Sequence, residues 1–272
     1  QQTFNRFRRL CPDENILVVT SEEHRELVKQ QLDIPDEQIL TEPVRKNTAP
    51  CIAYATYRIL KEAGDAVIAV SPADHIISNQ AVFEETLNSG FDFAQQNDTL
   101  ITIGIQPDKP ETGYGYILAD RNVPLAGNDN LFKVVNFTEK PDIRLARKFL
   151  ESGDYFWNSG IFIWSARSIL KAFEAFLPEM DSAFREIFPE LGTPGEPDAI
   201  NRIYPLFKAV SIDYGVMEKS KNVCVITADP GWSDLGTWSS LYAHSAADTA
   251  GNAIVRGSAH AFESSGNLVS VS

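Results

Sequence analysis

Residues 66–77 (AVIAVSPADHII) join a short apolar run directly to a polar segment. A continuous apolar run of this length is typical of a strand that is buried on both faces. Ligands of α/β proteins bind just beyond the carboxyl ends of such strands. The pattern therefore predicts a buried strand over residues 66–70 and places Asp74 and His75 in the polar turn that follows it.

A second acidic turn changes how Asp74 is interpreted. On its own, Asp74 is most simply a turn residue or a helix cap, and His75 has the same simple explanation. However, residues 231–238 (GWSDLGTW) also follow an apolar strand and carry Asp234. Two carboxylates delivered to one sheet edge predict a Mg²⁺ site.

A helix is predicted from about residue 79, with one apolar face formed by Phe83, Leu87, Phe91 and Ala94.

Composition limits the classes of partner. The chain of 272 residues is 43% hydrophobic, enough for a large α/β core. Its 24 Lys and Arg against 37 Asp and Glu give a net charge of −13, which argues against binding to nucleic acid or to an anionic membrane. No apolar stretch is long enough to span a bilayer. The cysteines, Cys11, Cys51 and Cys224, are unpatterned and odd in number, which favours reduced thiols in the cytoplasm.

A loop over residues 42–50 (EPVRKNTAP) precedes a predicted helix that ends near Gly64. Asn47 or Thr48 caps this helix in the simplest interpretation. A helix amino terminus preceded by Arg45 and Lys46 is also a site where an anion binds well.

Three further clusters allow a structural and a functional interpretation. Gly113 and Gly115 around Tyr114 form a turn, or let the backbone approach a flat, hydroxyl-rich ligand closely. Glu139 and Lys140, at the end of a predicted strand, are a solvated surface pair or part of a site. Asn158 is a turn residue or lies at the polar entrance of a strand over residues 161–164.

The end of the chain has a different pattern. Short alternating segments separated by glycines, over residues 253–255, 259–262 and 268–271, predict the first rungs of a β appendage. We expect one domain over residues 1–245 and the start of the appendage over 246–272. Unpaired strand edges and an apolar face in this tail predict a homodimer.

Seven motifs in this order resemble those of the mannose-1-phosphate guanylyltransferases, within the nucleotide-sugar pyrophosphorylase family. They are residues 42–50 (EPVRKNTAP), 71–75 (SPADH), 112–117 (TGYGYI), 137–141 (FTEKP), 157–162 (WNSGIF), 212–219 (IDYGVMEK) and 231–238 (GWSDLGTW).

The resemblance implies a three-layer, Rossmann-like α/β fold with a mixed sheet, of the nucleotidyltransferase or GT-A-like type, and the start of a left-handed β-helix at the carboxyl end. It implies Mg²⁺-dependent transfer of a guanylyl group from GTP to mannose 1-phosphate. Alternatives are another base and sugar pair, UTP or dTTP with glucose 1-phosphate, and a catalytically silent subunit that binds nucleotide sugars. The family's glycine-rich nucleotide loop is expected before residue 1.

The resemblance also assigns roles. Asp74 and Asp234 become the metal ligands, and Lys140 becomes the contact to the sugar phosphate, so these three are the expected catalytic residues. The family often has Gly-Arg-Asn where residues 45–47 are RKN, so the basic role falls to Arg45 or to Lys46. The implied substrate-binding residues are Arg45, Asn47, Thr48, Pro72, Gly113, Tyr114, Glu139, Asn158 and Lys219.

Overall fold

The computed structural model describes residues 1–271. Its strands are β1 (Val18–Ser21), β2 (Ile39–Glu42), β3 (Val67–Val70), β4 (Ile76–Ile77), β5 (Leu100–Ile105), β6 (Tyr116–Ala119), β7 (Leu131–Thr138), β8 (Tyr155–Ser165), β9 (Val223–Thr227), β10 (Trp232–Ser233), β11 (Ala253–Arg256) and β12 (Leu268–Ser270). Its α-helices are α1 (Gln2–Phe7), α2 (Arg25–Gln31), α3 (Thr48–Ala63), α4 (Gln80–Gln96), α5 (Ile143–Ser152), α6 (Ala166–Phe176), α7 (Pro178–Ile187), α8 (Glu196–Ile203) and α9 (Trp238–Ala243).

Six strands form one mixed sheet in the order β3-β8-β5-β9-β7-β6. Strand β8 is antiparallel to β3, β5 and β6, whereas β5 and β9 are parallel. Because β6 pairs with β8 as well as with β7, the sheet folds back on itself at that end. The mixed sheet that was expected is confirmed.

Alternation along the strands divides the core between the two faces of this sheet. In β8, Phe162 and Trp164 belong to one apolar cluster, and Ile161 and Ile163 belong to the other. The first cluster is completed by α3, α6, α7 and α8, and the second by α4 and α5. This arrangement follows from the period of two in a strand and gives three layers. No helix within residues 1–271 combines the length and the apolar character needed to cross a membrane.

Helix α4 lies very close to the sheet. Its predicted apolar face is confirmed, since Phe83, Leu87 and Ala94 are buried. Gly90 allows the close approach, because a Cβ atom at this position would lie only 2.3 Å from Cδ1 of Ile163. A larger residue would push the helix away from β8.

The expectation that the strand at residues 66–70 is buried on both faces is confirmed in part, since Val70 packs against one apolar cluster and Val67 and Ala69 pack against the other. The observed strand, β3, begins at Val67, and only Ile68 among its four residues is fully buried. Within residues 1–271, β3 pairs with β8 alone and so lies at an edge of the six-stranded sheet. The other three side chains are partly accessible.

The carboxyl-terminal segment forms two of its three predicted strands. Strands β11 and β12 pair in parallel, Ala253 with Leu268. No strand forms over residues 259–262, where Phe262 is 84% exposed, so that expectation is wrong. The left-handed β-helix and the boundary at residue 245 stay predictions, and Ser272 lies outside the described residues.

Candidate active site

A short antiparallel ladder joins the two acidic turns. Strand β4 follows Asp74, strand β10 precedes Asp234, and Ser233 is paired with Ile76. The backbone of Ser78 donates to the carbonyl of Gly231 at 3.2 Å and extends this connection. The structure thus brings together two carboxylates that are 160 positions apart in the sequence.

The two carboxylates differ in their surroundings. The side chain of Asp74 is 85% exposed. Oδ1 of Asp234 accepts hydrogen bonds from the hydroxyl of Tyr114 at 2.6 Å and from the backbone N–H of Gly236 at 2.9 Å. Its Oδ2 accepts none within residues 1–271. Each turn therefore presents an available carboxylate oxygen.

This donor set suits Mg²⁺. The ion prefers hard oxygen ligands and is commonly held by one or two carboxylates, with waters and substrate phosphates as its other ligands. Within residues 1–271, no group of three or more His, Cys, Asp or Glu side chains is placed to hold a metal ion without such help. Asp74 and Asp234 are the residues that fit the ion.

Two aromatic residues behind the carboxylates were not assigned any role from the sequence. The indole Nε1–H of Trp232 donates to Nδ1 of His75 at 3.1 Å, and the two rings meet edge to face. Burial lowers the pKa of His75, although Asp74 and Asp234 oppose that shift. Because the two residues lie in different turns, their contact depends on the ladder between β4 and β10.

Lys140 lies near the same site and is connected to it through Tyr114. Its backbone N–H donates to the carbonyl of Tyr114 at 3.2 Å, and its φ of 48° is in the left-handed region. Its ammonium lies 3.4 Å from Oε1 of Glu139. The Lys140 side chain is 57% exposed but that of Glu139 is only 8% exposed, so the interpretation as a solvated surface pair is wrong for Glu139.

Glu139 has one carboxylate oxygen without a partner. Its Oε2 is buried and forms no hydrogen bond within residues 1–271. Burial and the nearby Asp213 raise the pKa of Glu139 to about 7, although Lys140 acts in the opposite direction. A Cβ atom on Gly115 would lie 2.5 Å from this oxygen, so glycine is needed to keep the space next to it open.

Asn158 is held in one orientation by a hydrogen-bond network. It lies within strand β8, so the interpretation as a turn residue is wrong. Its Oδ1 accepts from Oγ1 of Thr102 at 2.7 Å, and its Nδ2 donates to Oδ1 of Asp213 at 2.8 Å. Burial raises the pKa of Asp213. Asp213 lies in the motif over residues 212–219, but the sequence alone did not indicate its hydrogen bond with Asn158.

Asn47 and Thr48 form the start of α3, which is tied to the segment that carries Asp213. Asn47 is the N-cap, and its Oδ1 accepts from the N–H of Thr48 at 2.9 Å, so its predicted capping is confirmed. Oγ1 of Thr48 accepts from the N–H of Ile212 at 2.9 Å. The loop before α3 is therefore coupled to Asp213 and, through it, to Asn158.

Comparison with known proteins places the chain in a family. The model of the nucleotidyl transferase family matches residues 9–251. The chain belongs to this family. Nucleotidyl transferase relatives include the mannose-1-phosphate guanylyltransferase ManC of Salmonella typhimurium, 38% identical over 88% of this chain and 51% of that protein. The alginate biosynthesis protein AlgA of Pseudomonas aeruginosa is 34% identical over 87% of this chain and 49% of its own length. The chain spans about half the length of the curated relatives it matches.

Solved structures agree on the fold. A protein of Thermus thermophilus, titled mannose-1-phosphate geranyltransferase, matches with a TM-score of 0.80 and 27% identity over 93% of this chain and 71% of its own. A protein of Helicobacter pylori, titled mannose-6-phosphate isomerase, matches with a TM-score of 0.69 and 26% identity over 85% of this chain and 88% of its own. The nucleotidyl transferase fold of this chain, a mixed sheet with helices, is thereby shown.

Other candidate residues of this nucleotidyl transferase chain lie at the edges of the site. Arg45 is exposed and pairs with Glu23, whereas the ammonium of Lys46 donates to the carbonyl of Pro205 at 2.8 Å. Within residues 1–271, no hydrogen bond or ion pair joins either cation to Asp74, Asp234 or Lys140. The structure places the remaining candidates as follows: Gly113 and Lys219 are exposed, and Pro72 is half-buried next to Gly160.

Proposed function

We propose that this chain carries the site at which a guanylyl group passes from GTP to mannose 1-phosphate, giving GDP-mannose and pyrophosphate. The observation that carries the proposal is the position of Tyr114. Its hydroxyl contacts Asp234, and its backbone carbonyl contacts Lys140. One residue thereby connects an acidic pair suited to a metal ion with a cation suited to a phosphate. The names of relatives such as ManC support this choice of substrates.

The chemistry needs alignment more than acid–base catalysis. The attacking oxygen of a sugar 1-phosphate is already ionised at neutral pH, so no general base is required. The main obstacle is repulsion between two anions, which positioned charges reduce. When bound, Mg²⁺ supplies positive charge between the phosphate groups. Asp74 and Asp234 are the residues that would hold it, and Lys140 adds a point charge for the sugar phosphate.

The sugar ring is proposed to lie against Glu139 and Asn158. Oε2 of Glu139 is a buried acceptor without a donor, which a sugar hydroxyl satisfies. The fixed amide of Asn158 lies beside the same space, since its Cβ is 3.3 Å from the position of a Cβ on Gly115. An unpaired buried acceptor selects ligands that bring a hydroxyl group to it.

The nucleotide is proposed to approach the amino terminus of α3. Asn47 and Thr48 lie there, and the unpaired N–H groups of a first helical turn favour anionic or polar ligands. Arg45 and Lys46 are the nearby cations. Their present partners, Glu23 and the carbonyl of Pro205, are replaceable at the surface.

The test is a pyrophosphate-release assay over GTP, UTP, dTTP and ATP, each with mannose 1-phosphate and with glucose 1-phosphate. We expect GTP with mannose 1-phosphate to exceed every other pair by at least about tenfold in kcat/KM, a difference of about 1.4 kcal/mol. A faster reaction with UTP or dTTP and glucose 1-phosphate would contradict the choice of GTP and mannose 1-phosphate and identify that pair as the substrates. Binding of GDP-mannose without turnover of any pair would instead indicate a binding subunit.

We further propose a homodimer in the cytoplasm that is assembled through a carboxyl-terminal left-handed β-helix. The parallel pairing of β11 and β12 is compatible with two rungs of such a helix. Ile254 and Val271 are 45% and 47% exposed, which leaves apolar surface for a second copy. Light scattering after size exclusion tests the assembly, and a monomer at micromolar concentration would contradict it.

A further inference from the structure

The orientation of the His75 ring is fixed by one hydrogen bond. An indole N–H is a donor only, so Nδ1 of His75 must accept from Trp232 and carries no proton. The neutral ring therefore carries its proton on Nε2. This nitrogen lies 4.0 Å from Oδ1 of Asp74 in the same turn, which is longer than a hydrogen bond.

His75 is anchored although its neighbour Asp74 is not. The His75 side chain is 13% exposed against 85% for Asp74. Within residues 1–271, the carboxylate of Asp74 accepts no hydrogen bond. The hydroxyl of Thr3 donates to the backbone carbonyl of the preceding residue, Ala73, at 2.8 Å. The ring of His75 is thus a largely buried, hydrogen-bonded group next to an exposed carboxylate.

Trp232 connects this ring to the second carboxylate. The backbone of Trp232 is paired with Ile77 in the ladder between β4 and β10. Its ring contacts the ring of Tyr114 edge to face, with centroids 5.2 Å apart, and Tyr114 donates to Asp234. A continuous set of contacts therefore runs from Asp74 through His75, Trp232 and Tyr114 to Asp234.

We propose that His75, held by Trp232, is a positioning residue for the divalent cation. Its Nε2–H, 4.0 Å from Oδ1 of Asp74 in this structure, would donate to that carboxylate and orient it as a ligand of the ion together with Asp234. The role resembles that of outer residues which orient the ligands of a metal. The proposal rests on the Mg²⁺ site in the proposed function. It adds the Nε2–H of His75 as the donor to Asp74, the Nε2-protonated tautomer of the ring, and Trp232 as the residue that fixes this tautomer.

A matched pair of tryptophan variants tests it. Trp232→Phe removes the N–H that fixes His75 but keeps an aromatic ring beside Tyr114. Trp157→Phe is the control, because its ring also contacts Tyr114, with centroids 5.1 Å apart, while its Nε1–H has no hydrogen-bond partner within residues 1–271. Binding of Mn²⁺ alone is measured by electron paramagnetic resonance, and stability is measured by urea unfolding.

We expect Trp232→Phe to weaken Mn²⁺ binding at least fivefold and Trp157→Phe to change it less than twofold. Parent-like Mn²⁺ affinity in Trp232→Phe overturns the proposal, even if the variant is less stable, because the bond then serves the fold alone. Absence of Mn²⁺ binding by the parent protein overturns it as well. The titration does not depend on turnover, so a failure of the guanylyl-transfer assay is a separate result.

A second pair of variants covers the case in which Trp232→Phe does not fold. His75→Leu removes the Nε2–H, whereas His75→Gln places an amide N–H near its position. We expect at least fivefold weaker Mn²⁺ binding in His75→Leu and recovery of at least half of that loss in His75→Gln. Equal Mn²⁺ affinity of parent and His75→Leu contradicts the proposal, and so does the absence of recovery in His75→Gln.

Discussion

The phenol of Tyr114 donates a hydrogen bond to Asp234 across 2.6 Å, although the two residues are 120 positions apart. Burial, together with the neighbouring Asp234, raises the pKa of Tyr114 well above its ordinary value. The hydroxyl group therefore stays protonated, and remains a donor, at neutral pH. Asp234 is oriented by this bond, and its second oxygen is left for another ligand.

Tyr114→Phe is expected to loosen Asp234. Because the carboxylate loses one of two restraints and keeps the bond from Gly236, we expect the Mg²⁺ concentration for half-maximal activity to rise about three- to tenfold, or roughly 1 kcal/mol. Pyrophosphate release as a function of Mg²⁺ concentration measures the change. Tyr155→Phe is the control, since its hydroxyl has no protein partner within residues 1–271. An unchanged Mg²⁺ requirement would show that Gly236 suffices.

Asp74→Asn and Asp234→Asn are each expected to reduce kcat/KM by at least about a thousandfold, or several kcal/mol, because a neutral amide is a poor ligand for Mg²⁺. The thermal unfolding temperature of each variant should stay close to that of the parent, since both residues lie in turns. Asp129→Asn, in an exposed loop, is the control. Near-normal turnover of either site variant would exclude its residue as a metal ligand.

Lys140 is expected to act through its charge. Lys140→Met should raise the KM for mannose 1-phosphate at least about tenfold and that for GTP much less, whereas Lys140→Arg should retain part of the affinity. A surface ion pair with Glu139 contributes only about 0 to 1 kcal/mol and would change neither KM. The control is Lys133→Met, on the exposed side of β7. Equal loss of affinity for both substrates would assign Lys140 to the triphosphate and the sugar phosphate to Lys219.

Gly115→Ala is expected to close the space beside Glu139. The added Cβ would lie 2.5 Å from Oε2 of Glu139, so the carboxylate must move. We expect a KM for mannose 1-phosphate about tenfold higher and a loss of stability of about 1 to 3 kcal/mol. Gly195→Ala is the control, because Gly195 has an ordinary φ of −82° and its nearest atom, Oγ1 of Thr193, would be 3.5 Å away. Steady-state kinetics measure the KM for mannose 1-phosphate in both variants. An equal rise of KM in the two variants would contradict the steric explanation.

The contribution of Glu139 to stability should fall as the pH rises from about 4.5 to about 7. In this range the folded protein holds a proton on Glu139 that the unfolded chain has released, since burial raises the pKa of Glu139 from 4.5 to about 7. Glu139→Gln should flatten this dependence and gain about 1 to 3 kcal/mol relative to the parent at pH 8. Asp213 retains part of the slope, because its pKa is raised as well. Urea unfolding at pH 5 and pH 8 measures the free energy of unfolding of the parent and of Glu139→Gln. Glu151→Gln, at an exposed position, is the control.

Much of the fold was predictable because the signals are local. The apolar face of α4, the cap at Asn47 and strand β5 follow from spacing and from the chemistry of single residues. Asp74 and Asp234 were also located as candidates, since each lies just beyond an apolar strand. Local patterns do not report how completely each side chain of a strand is covered, which is why β3 is less buried than expected.

The contacts that define the site were not predictable in the same way. Asn158 meets Asp213 across 55 positions, and Trp232 meets His75 across 157, so no local spacing connects them. The left-handed conformation of Lys140 is equally hidden, because lysine has no preference for it. Such pairings depend on strand order and register, which arise only when the sheet is assembled.

Strand β8 has a consequence for how the molecule opens. Its first half, around Trp157, pairs with β6 near the proposed sugar site, and its second half, around Ile163, pairs with β3 beside the Asp74 turn. Both halves also pair with β5. Amide hydrogens along β8 should therefore exchange only through global unfolding, while those of the turns at either end exchange through small local openings. The two substrate regions would then fluctuate separately while sharing one slowly exchanging strand.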